Sequence, residues 1–243
     1  GKIAMKFENE HADTTLINAR IASNDDDVVL ITSSGRAIRF SATDVRVFNS
    51  RASVGVRGIK LSGDDTLVSM SIIRHFKASS DERVAYLKMR RAVAGLADDA
   101  ELPDDEDTNA NASISPERYA EMSASENLIL TITANGAGKL SSSHDYPLRG
   151  RGGMGVSAMD KAMRGGRLLA CFPVELDDQI MLATSNGQSI RVPVEGISFR
   201  SRSAGGVRVF NTAKGEEVVS VAWIADQGDQ EEANEGEPEA GES

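Results

Sequence analysis

The sequence predicts an all-β fold: a propeller-like radial array of four-stranded blades with an insert that is part helical and part disordered. Three observations predict it. A unit of about fifty residues occurs three times. Each copy opens on a short apolar run that ends in a Ser-Gly or Asn-Gly turn. Each copy closes on a Gly-Val pair and a final apolar run. The turn glycines are Gly35, Gly136 and Gly187, and the pairs are Gly55-Val56, Gly155-Val156 and Gly206-Val207. Both landmarks shift by 51 residues between copies two and three and by about 100 between copies one and two. Material of roughly one unit's length is therefore inserted after the first copy.

The first strand of each unit is Val28–Ile31, Leu128–Ile132 and Ile180–Ala183. Four or five apolar residues bounded by turn signals suit a strand buried on both faces. Asn135-Gly136 and Asn186-Gly187 are strong hairpin signals and predict type I′ turns, with positive φ at both central residues. Second strands follow at Ala37–Phe40, Ala137–Leu140 and Ser189–Val192. A polar loop of about fifteen residues leads to Gly-Val and a third strand. A polar turn then leads to a fourth, at Leu67–Ile72, Leu168–Val174 and Val218–Trp223. Four strands per unit is the blade count of a propeller. The chain opens inside a unit, with Lys2–Phe7 in the third-strand slot and Thr15–Ala22 in the fourth. The organisation is a half unit (1–23), a unit (24–76), an insert (77–125), two further units (126–174 and 175–225) and an acidic tail (226–243).

The formal net charge of −10 is unevenly distributed. Residues 226–243 hold eight carboxylates and no Lys or Arg, and residues 77–125 hold six basic and eleven acidic side chains. The repeats keep 21 basic and 18 acidic residues, a net of +3. The array is thus mildly basic, and an acidic terminal block of this kind reads as solvated and disordered. In the insert, Glu82–Leu96 is rich in helix formers and predicts a short helix. The stretch Ala97–Asn111 is acidic and almost without apolar residues, which predicts a disordered loop. Ser115-Pro116-Glu117 supplies an N-cap, a Pro at the first helical position and an early acid, and starts a second helix. Placed between two blades, the insert is expected to protrude from the rim. The chain has no apolar run of 18 and no signal-like N-terminus, which predicts a soluble, cytoplasmic protein with no membrane partner. Cys171 is the sole cysteine and lies in a strand, as a small buried hydrophobe.

Basic residues recur at matching places in the repeats. Arg36 and Arg39, Lys139, and Arg191 follow the turn glycines. Arg51, then Arg149 and Arg151, then Arg200 and Arg202 precede the Gly-Val pairs, and Arg57, Lys60 and Arg208 follow them. Matching positions on successive blades fall on one rim and predict a curved basic track. Such a track suits the phosphate backbone of double-stranded DNA, because each neutralised phosphate releases counterions and no base need be read. Charge on exposed strands also serves solubility alone. Copy two departs from the pattern with Leu140 and Ser157. The run Arg149-Gly150-Arg151-Gly152-Gly153-Met154-Gly155 allows close backbone approach and supplies two cations, without the Gly-Lys-Ser/Thr end of a phosphate loop. His11, His75 and His144 have no ligand-spaced partners, so no metal site is expected. Asp25-Asp26-Asp27 and Asp177-Asp178 head their strands as repeat features, and no catalytic residue is expected.

The Asp-rich entry, the Asn/Ser-Gly turn, the Arg at the strand end and the run GVRGIKLSGDDTLVSMSII together closely resemble the C-terminal domain of the DNA gyrase A protein. The resemblance covers residues 1–76 and 126–225 and the acidic tail, but not the insert. It implies a β-pinwheel of about six blades with strands exchanged between neighbours, wrapping double-stranded DNA on its basic rim. It implies a part in ATP-dependent negative supercoiling by a type II topoisomerase, alongside the rest of gyrase A and the gyrase B protein in an A2B2 assembly, in the bacterial cytoplasm near the nucleoid. This chain would hold the last three blades and half of the one before. The family's diagnostic heptapeptide, Gln-(Arg/Lys)-Arg-Gly-Gly-(Arg/Lys)-Gly, belongs to a first blade outside this chain. Arg149–Gly155 resembles a degenerate copy of it: Arg151, Gly152, Gly153 and Gly155 fit, while Arg149, Gly150 and Met154 do not. By the same resemblance this chain carries no cofactor, and the cleaving tyrosine, the ATP site and the Mg2+ ligands lie outside it. The acidic tail would compete with DNA for the rim. Two rival readings are the topoisomerase IV C-terminal domain, which binds crossings, and a protein-binding propeller scaffold that docks through the insert helices.

Overall fold

A computed structural model describes residues 2, 5–6, 14–94, 111–160 and 166–224. Three antiparallel sheets stack face to face. The strands are β1 (Asp26–Thr32), β2 (Arg36–Ser41), β3 (Leu67–Arg74), β4 (Leu128–Thr133), β5 (Ala137–Ser142), β6 (Val156–Ser157), β7 (Leu168–Val174), β8 (Gln179–Thr184), β9 (Ser189–Pro193), β10 (Val207–Arg208) and β11 (Val218–Ile224). The first sheet has the order β3-β1-β2-β6, the second β10-β5-β4-β7 and the third β11-β8-β9. Each Gly-Val strand is therefore lent to the preceding sheet. Val156 pairs with Ala37, and Val207 with Gly138. This is the strand exchange that the resemblance implies.

The long apolar runs become the central strands because both of their faces meet another layer. Val29 and Ile31 of the first sheet share a core with Ile129, Leu168 and Cys171 of the second. Leu130, Ile132 and Leu140 of the second sheet share one with Ile180, Leu182 and Val218 of the third. The residue four places after each Gly-Val glycine plugs a core: Met159 between sheets one and two, and Phe210 between two and three. In the first copy Ile59 closes the outer face of sheet one, over Val28, Leu30, Ile38 and Phe40. The same alternation sets the outer face of sheet three. The register places Met181 opposite Arg191, and Ala183 opposite Ser189, on the face turned away from Ile180 and Leu182. That face is more polar than the one packed in the core.

The hairpin turns differ from the type I′ expectation. Positive φ occurs only at the glycines, 86° at Gly35, 77° at Gly136 and 81° at Gly187, and at no non-glycine among the described residues. The Gly35, Gly136 and Gly187 N–H groups bond back to Thr32, Thr133 and Thr184 at 2.9–3.0 Å. Ile31 pairs with Ala37, so five residues span the turn, the fourth of them a left-handed glycine. Each preceding threonine hydroxyl also accepts the N–H of the residue after the glycine.

Two expected strands are absent. The third strand expected at Gly55-Val56 forms no ladder, and neither does Thr15–Ala22, because no described strand lies where either would pair. Of Lys2–Phe7, the described Lys2, Met5 and Lys6 form no strand. The helix read over Glu82–Leu96 is α1 (Ser80–Val93), capped by the Ser79 and Glu82 capping box. The second is α2 (Pro116–Ala124), capped by Ser115. The described part of the insert docks on the array. Tyr86, Leu87 and Met122 form a core of their own with Phe76 and Tyr119. His144 seats that core on the second blade, edge-on to Phe76 and Tyr86, with its Nε2 2.8 Å from the Met122 carbonyl. Burial lowers the His144 pKa. The amphipathic faces of two short helices need cover, and the 3-10 turn Ser143–Asp145 supplies it. The acidic loop 97–111, except Asn111, and the tail 226–243 lie outside the described residues.

Candidate nucleic-acid interface

Nine of the twelve sequence-selected cations are exposed: Arg36, Arg51, Arg57, Lys60, Arg149, Arg151, Arg191, Arg200 and Arg208. The other three are buried and do not belong to a surface track. Arg39 lies 2.7 Å from Asp27 Oδ2 through Nη2 and donates through Nη1 to the Ser143 carbonyl across the seam at 2.9 Å. Desolvation lowers its pKa, opposed by the Asp27 charge. Lys139 donates through Nζ to the carbonyls of Ser201 at 2.9 Å, Ala204 at 2.6 Å and Arg202. Burial pushes its pKa down to about 7, against the pull of Asp145. Arg202 is held by Asp145, whose Oδ2 accepts its backbone N–H at 2.7 Å and whose carbonyl accepts Nε at 2.8 Å. The recurrence of cations is thus in part a recurrence of cross-seam ties, each ending on backbone carbonyls outside the strand ladders.

Arg191 is exposed for a different reason. It occupies the strand position of Arg39 and Leu140, opposite Met181 where they stand opposite Val29 and Leu130. Its side chain therefore stands on the outer face of sheet three and not on the rim.

The remaining cations converge across copies. The Gly58–Lys60 segment of copy one runs against the Gly-Arg loop of copy two: Gly152 N–H donates to Gly58 O at 2.5 Å, and Lys60 N–H to Gly153 O at 2.8 Å. This brings Arg57 and Lys60 beside Arg151 and its loop. Arg149 is fixed at its backbone, its N–H donating to Arg39 O at 2.8 Å, and Arg200 repeats this on Leu140 O at 2.8 Å. Arg36 stands opposite Ser157, and Arg208 opposite Ala137, so each exchanged strand pair carries one cation. Gly155, at φ 70°, opens the exchanged strand, and a Cβ there would collide with the Ala37 carbonyl oxygen. The loop Arg149–Gly155 is therefore a docked element in which Gly152 and Gly155 take positive φ; Met154 is exposed, and Gly150 faces open space.

Sequence reasoning missed Arg46, whose guanidinium stacks 4.5 Å above the Phe48 ring beside the almost fully exposed Val47. The spacing i, i+2 in an irregular loop carries no periodic signal for such a pair. Missed too was the buried role of Asp27, which holds Arg39 and, at 2.9 Å, His75 Nδ1. Among the described residues no group of three His, Cys, Asp or Glu side chains is placed to hold a metal, and no helix is long and apolar enough to cross a membrane. Cys171 is buried beside Thr131, and burial pushes its thiol up to about 11.

Comparison with known proteins accords with this geometry. The chain is 41% identical over 233 residues to the DNA gyrase A protein of Granulibacter bethesdensis, covering 91% of this chain and 24% of that protein. It is 37% identical over 244 residues to the DNA gyrase A protein of Rickettsia bellii, covering 100% and 26%. It thus spans about a quarter of these relatives' length. A solved gyrase A C-terminal domain superposes with a TM-score of 0.63 at 20% identity, over 93% of this chain and 58% of that one. A topoisomerase IV C-terminal domain does so with a TM-score of 0.63 at 18% identity, over 91% and 52%. At such identities the likeness shows the fold alone. The family model for the DNA gyrase C-terminal domain, beta-propeller, matches residues 26–74, 127–175 and 178–222, one segment per sheet, and the chain belongs to that family.

Proposed function

We propose that the chain is a DNA-wrapping part of a gyrase A protein, holding duplex by its phosphate backbone along Arg36, Arg51, Arg57, Lys60, Arg149, Arg200 and Arg208. One observation carries the reading. Backbone bonds between Gly58–Lys60 and Gly152–Gly153 bring Arg57 and Lys60 of one copy beside the Arg149–Gly155 loop of the next, while the seam cations Arg39 and Lys139 are engaged internally, on Asp27 and on backbone carbonyls. Contacts of this kind are insensitive to sequence and steeply salt-dependent. In this reading the chain works inside an A2B2 assembly with the gyrase B protein in the bacterial cytoplasm, and ATP and Mg2+ are bound by other parts of that assembly. The acidic tail 226–243 competes with DNA for the same cations, so removing it strengthens binding.

The test is topological. Relaxed circular DNA is saturated with the chain and nicked and resealed, and its linking number is read on a gel. Wrapping shifts the linking number with one sign, and the shift disappears in the combined variant Arg57→Gln, Lys60→Gln, Arg149→Gln and Arg200→Gln. Binding without any shift would favour a surface that holds crossings. Absence of binding would favour the protein scaffold.

A further inference from the structure

Arg151 was selected from sequence as a phosphate contact, yet its guanidinium is already engaged. Nε donates to the Asp44 carbonyl at 2.9 Å and Nη1 to the Arg57 carbonyl at 3.1 Å. One unit further on, Arg202 makes the same pair of bonds: Nε to the Asp145 carbonyl at 2.8 Å and Nη1 to the Ser157 carbonyl. The acceptors correspond as well. Asp44 and Asp145 each end the 3-10 turn that follows the second strand of their copy, and Arg57 and Ser157 each follow a Gly-Val pair. In both places an arginine of copy n+1 ties the strand-end turn of copy n to the Gly-Val segment of copy n. That segment is lent to the preceding sheet in the second case, through β6. The Arg202 tie therefore reaches across three successive layers.

The geometry points to Arg151 and Arg202 as positioning residues that set the angle between successive blades, and through it the path of the wrapped duplex; the part concerning DNA rests on the reading proposed above. A planar guanidinium with donors in a fixed fork satisfies two carbonyls at a defined separation. A lysine carries the same charge on a single nitrogen, which gathers carbonyls that converge on one point, as Lys139 does, but does not reproduce donation from two separate nitrogens, Nε and Nη1. Charge and geometry are thereby separable. A phosphate contact survives Arg→Lys, and a tie made from two separate nitrogens does not. Arg202 is buried, so its loss risks unfolding; Arg151 is exposed and suited to substitution.

The test uses the full chain with spin labels on Asp64→Cys in the first blade and Asn186→Cys in the third, Cys171 being buried. The distance distribution between the labels is compared for the parent, Arg151→Lys, Arg151→Gln and Arg57→Gln, with circular dichroism to confirm folding. Both Arg151 variants are expected to broaden the distribution alike, with Arg57→Gln unchanged. In parallel, the salt dependence of duplex affinity is expected to keep its slope in Arg151→Gln and to lose about 0.9 in Arg57→Gln, one phosphate's worth. An unchanged distribution in both Arg151 variants overturns the inference. So does a parental distribution in Arg151→Lys together with the loss of one phosphate's slope in Arg151→Gln. Broadening in both Arg151 variants with no slope change in Arg57→Gln upholds the tie and rejects the duplex reading of Arg57 instead.

Discussion

A cation's burial decides its work in this molecule, and two neighbouring classes can be told apart by substitution. Arg39 and Asp27 are both buried and bonded to each other. Arg39→Met leaves the Asp27 carboxylate in the seam beside His75 and is expected to cost about 3–5 kcal/mol in denaturant unfolding, the range for breaking a buried pair from one side. Arg57→Gln is expected to stay within about 0.5 kcal/mol of the parent, as surface substitutions do. Lys139 makes a pH-dependent contribution. Its folded-state pKa, about 7, lies below that of an unfolded lysine, so between the two the unfolded chain holds more protons and stability rises with pH. The stability difference between the parent and Lys139→Met should therefore move in favour of the parent from pH 7 towards pH 9, by up to about 1.4 kcal/mol per pH unit. A flat difference would mean that the three carbonyls keep Nζ protonated and outweigh its burial. The sequence held a sign of that placement. Arg39 sits among Ala37, Ile38 and Phe40, and Lys139 between Gly138 and Leu140, in strands whose apolar runs predict layers on both faces. A cation centred in such a strand points into a seam more readily than onto a rim. The recurrence of charge obscured this, because it registers position along the chain and not the face of the strand.

At the scale of elements, the exchanged strands are the joints. Gly155 combines positive φ with the approach of Ala37 O, so two separate costs oppose a side chain there. Gly155→Ala is expected to destabilise the chain by at least about 2 kcal/mol, read from the denaturant midpoint, whereas Gly150→Ala, with nothing nearby, should be close to neutral. Equal effects at the two glycines would mean that the loop is not docked as described. The central strands, their turns' positions and both insert helices were legible because apolar runs, glycines and caps are local signals. The lending of β6 and β10 to the neighbouring sheet was not legible from the pattern. Gly155-Val156 reads the same whichever sheet takes it, and only the resemblance carried the exchange. The turn type was misread for a related reason: the Asn-Gly signal presumes a two-residue loop, and the registers Ile132–Gly138 and Ala183–Ser189 each leave five residues. The docking of the insert depended on His144, Phe76 and Tyr86 meeting in space, which no sequence spacing reveals.

Across the whole molecule, three sheets face one another through continuous cores, with the outermost face of sheet three carrying Arg191 and Ser189. Ties by Arg39, Lys139 and Arg202 cross the seams, and the rim keeps the cations that the seams do not use. The central claim is that this residual charge is a surface for phosphate backbone. The most direct test is the slope of log affinity for duplex against log salt, measured for the parent and for the combined variant Arg57→Gln, Lys60→Gln, Arg149→Gln and Arg200→Gln. The account expects a steep negative slope in the parent and a slope shallower by about 3–4 in the variant, close to one unit per lost phosphate contact. An unaltered slope in the variant, or a parent that fails to bind duplex at low salt, would contradict it.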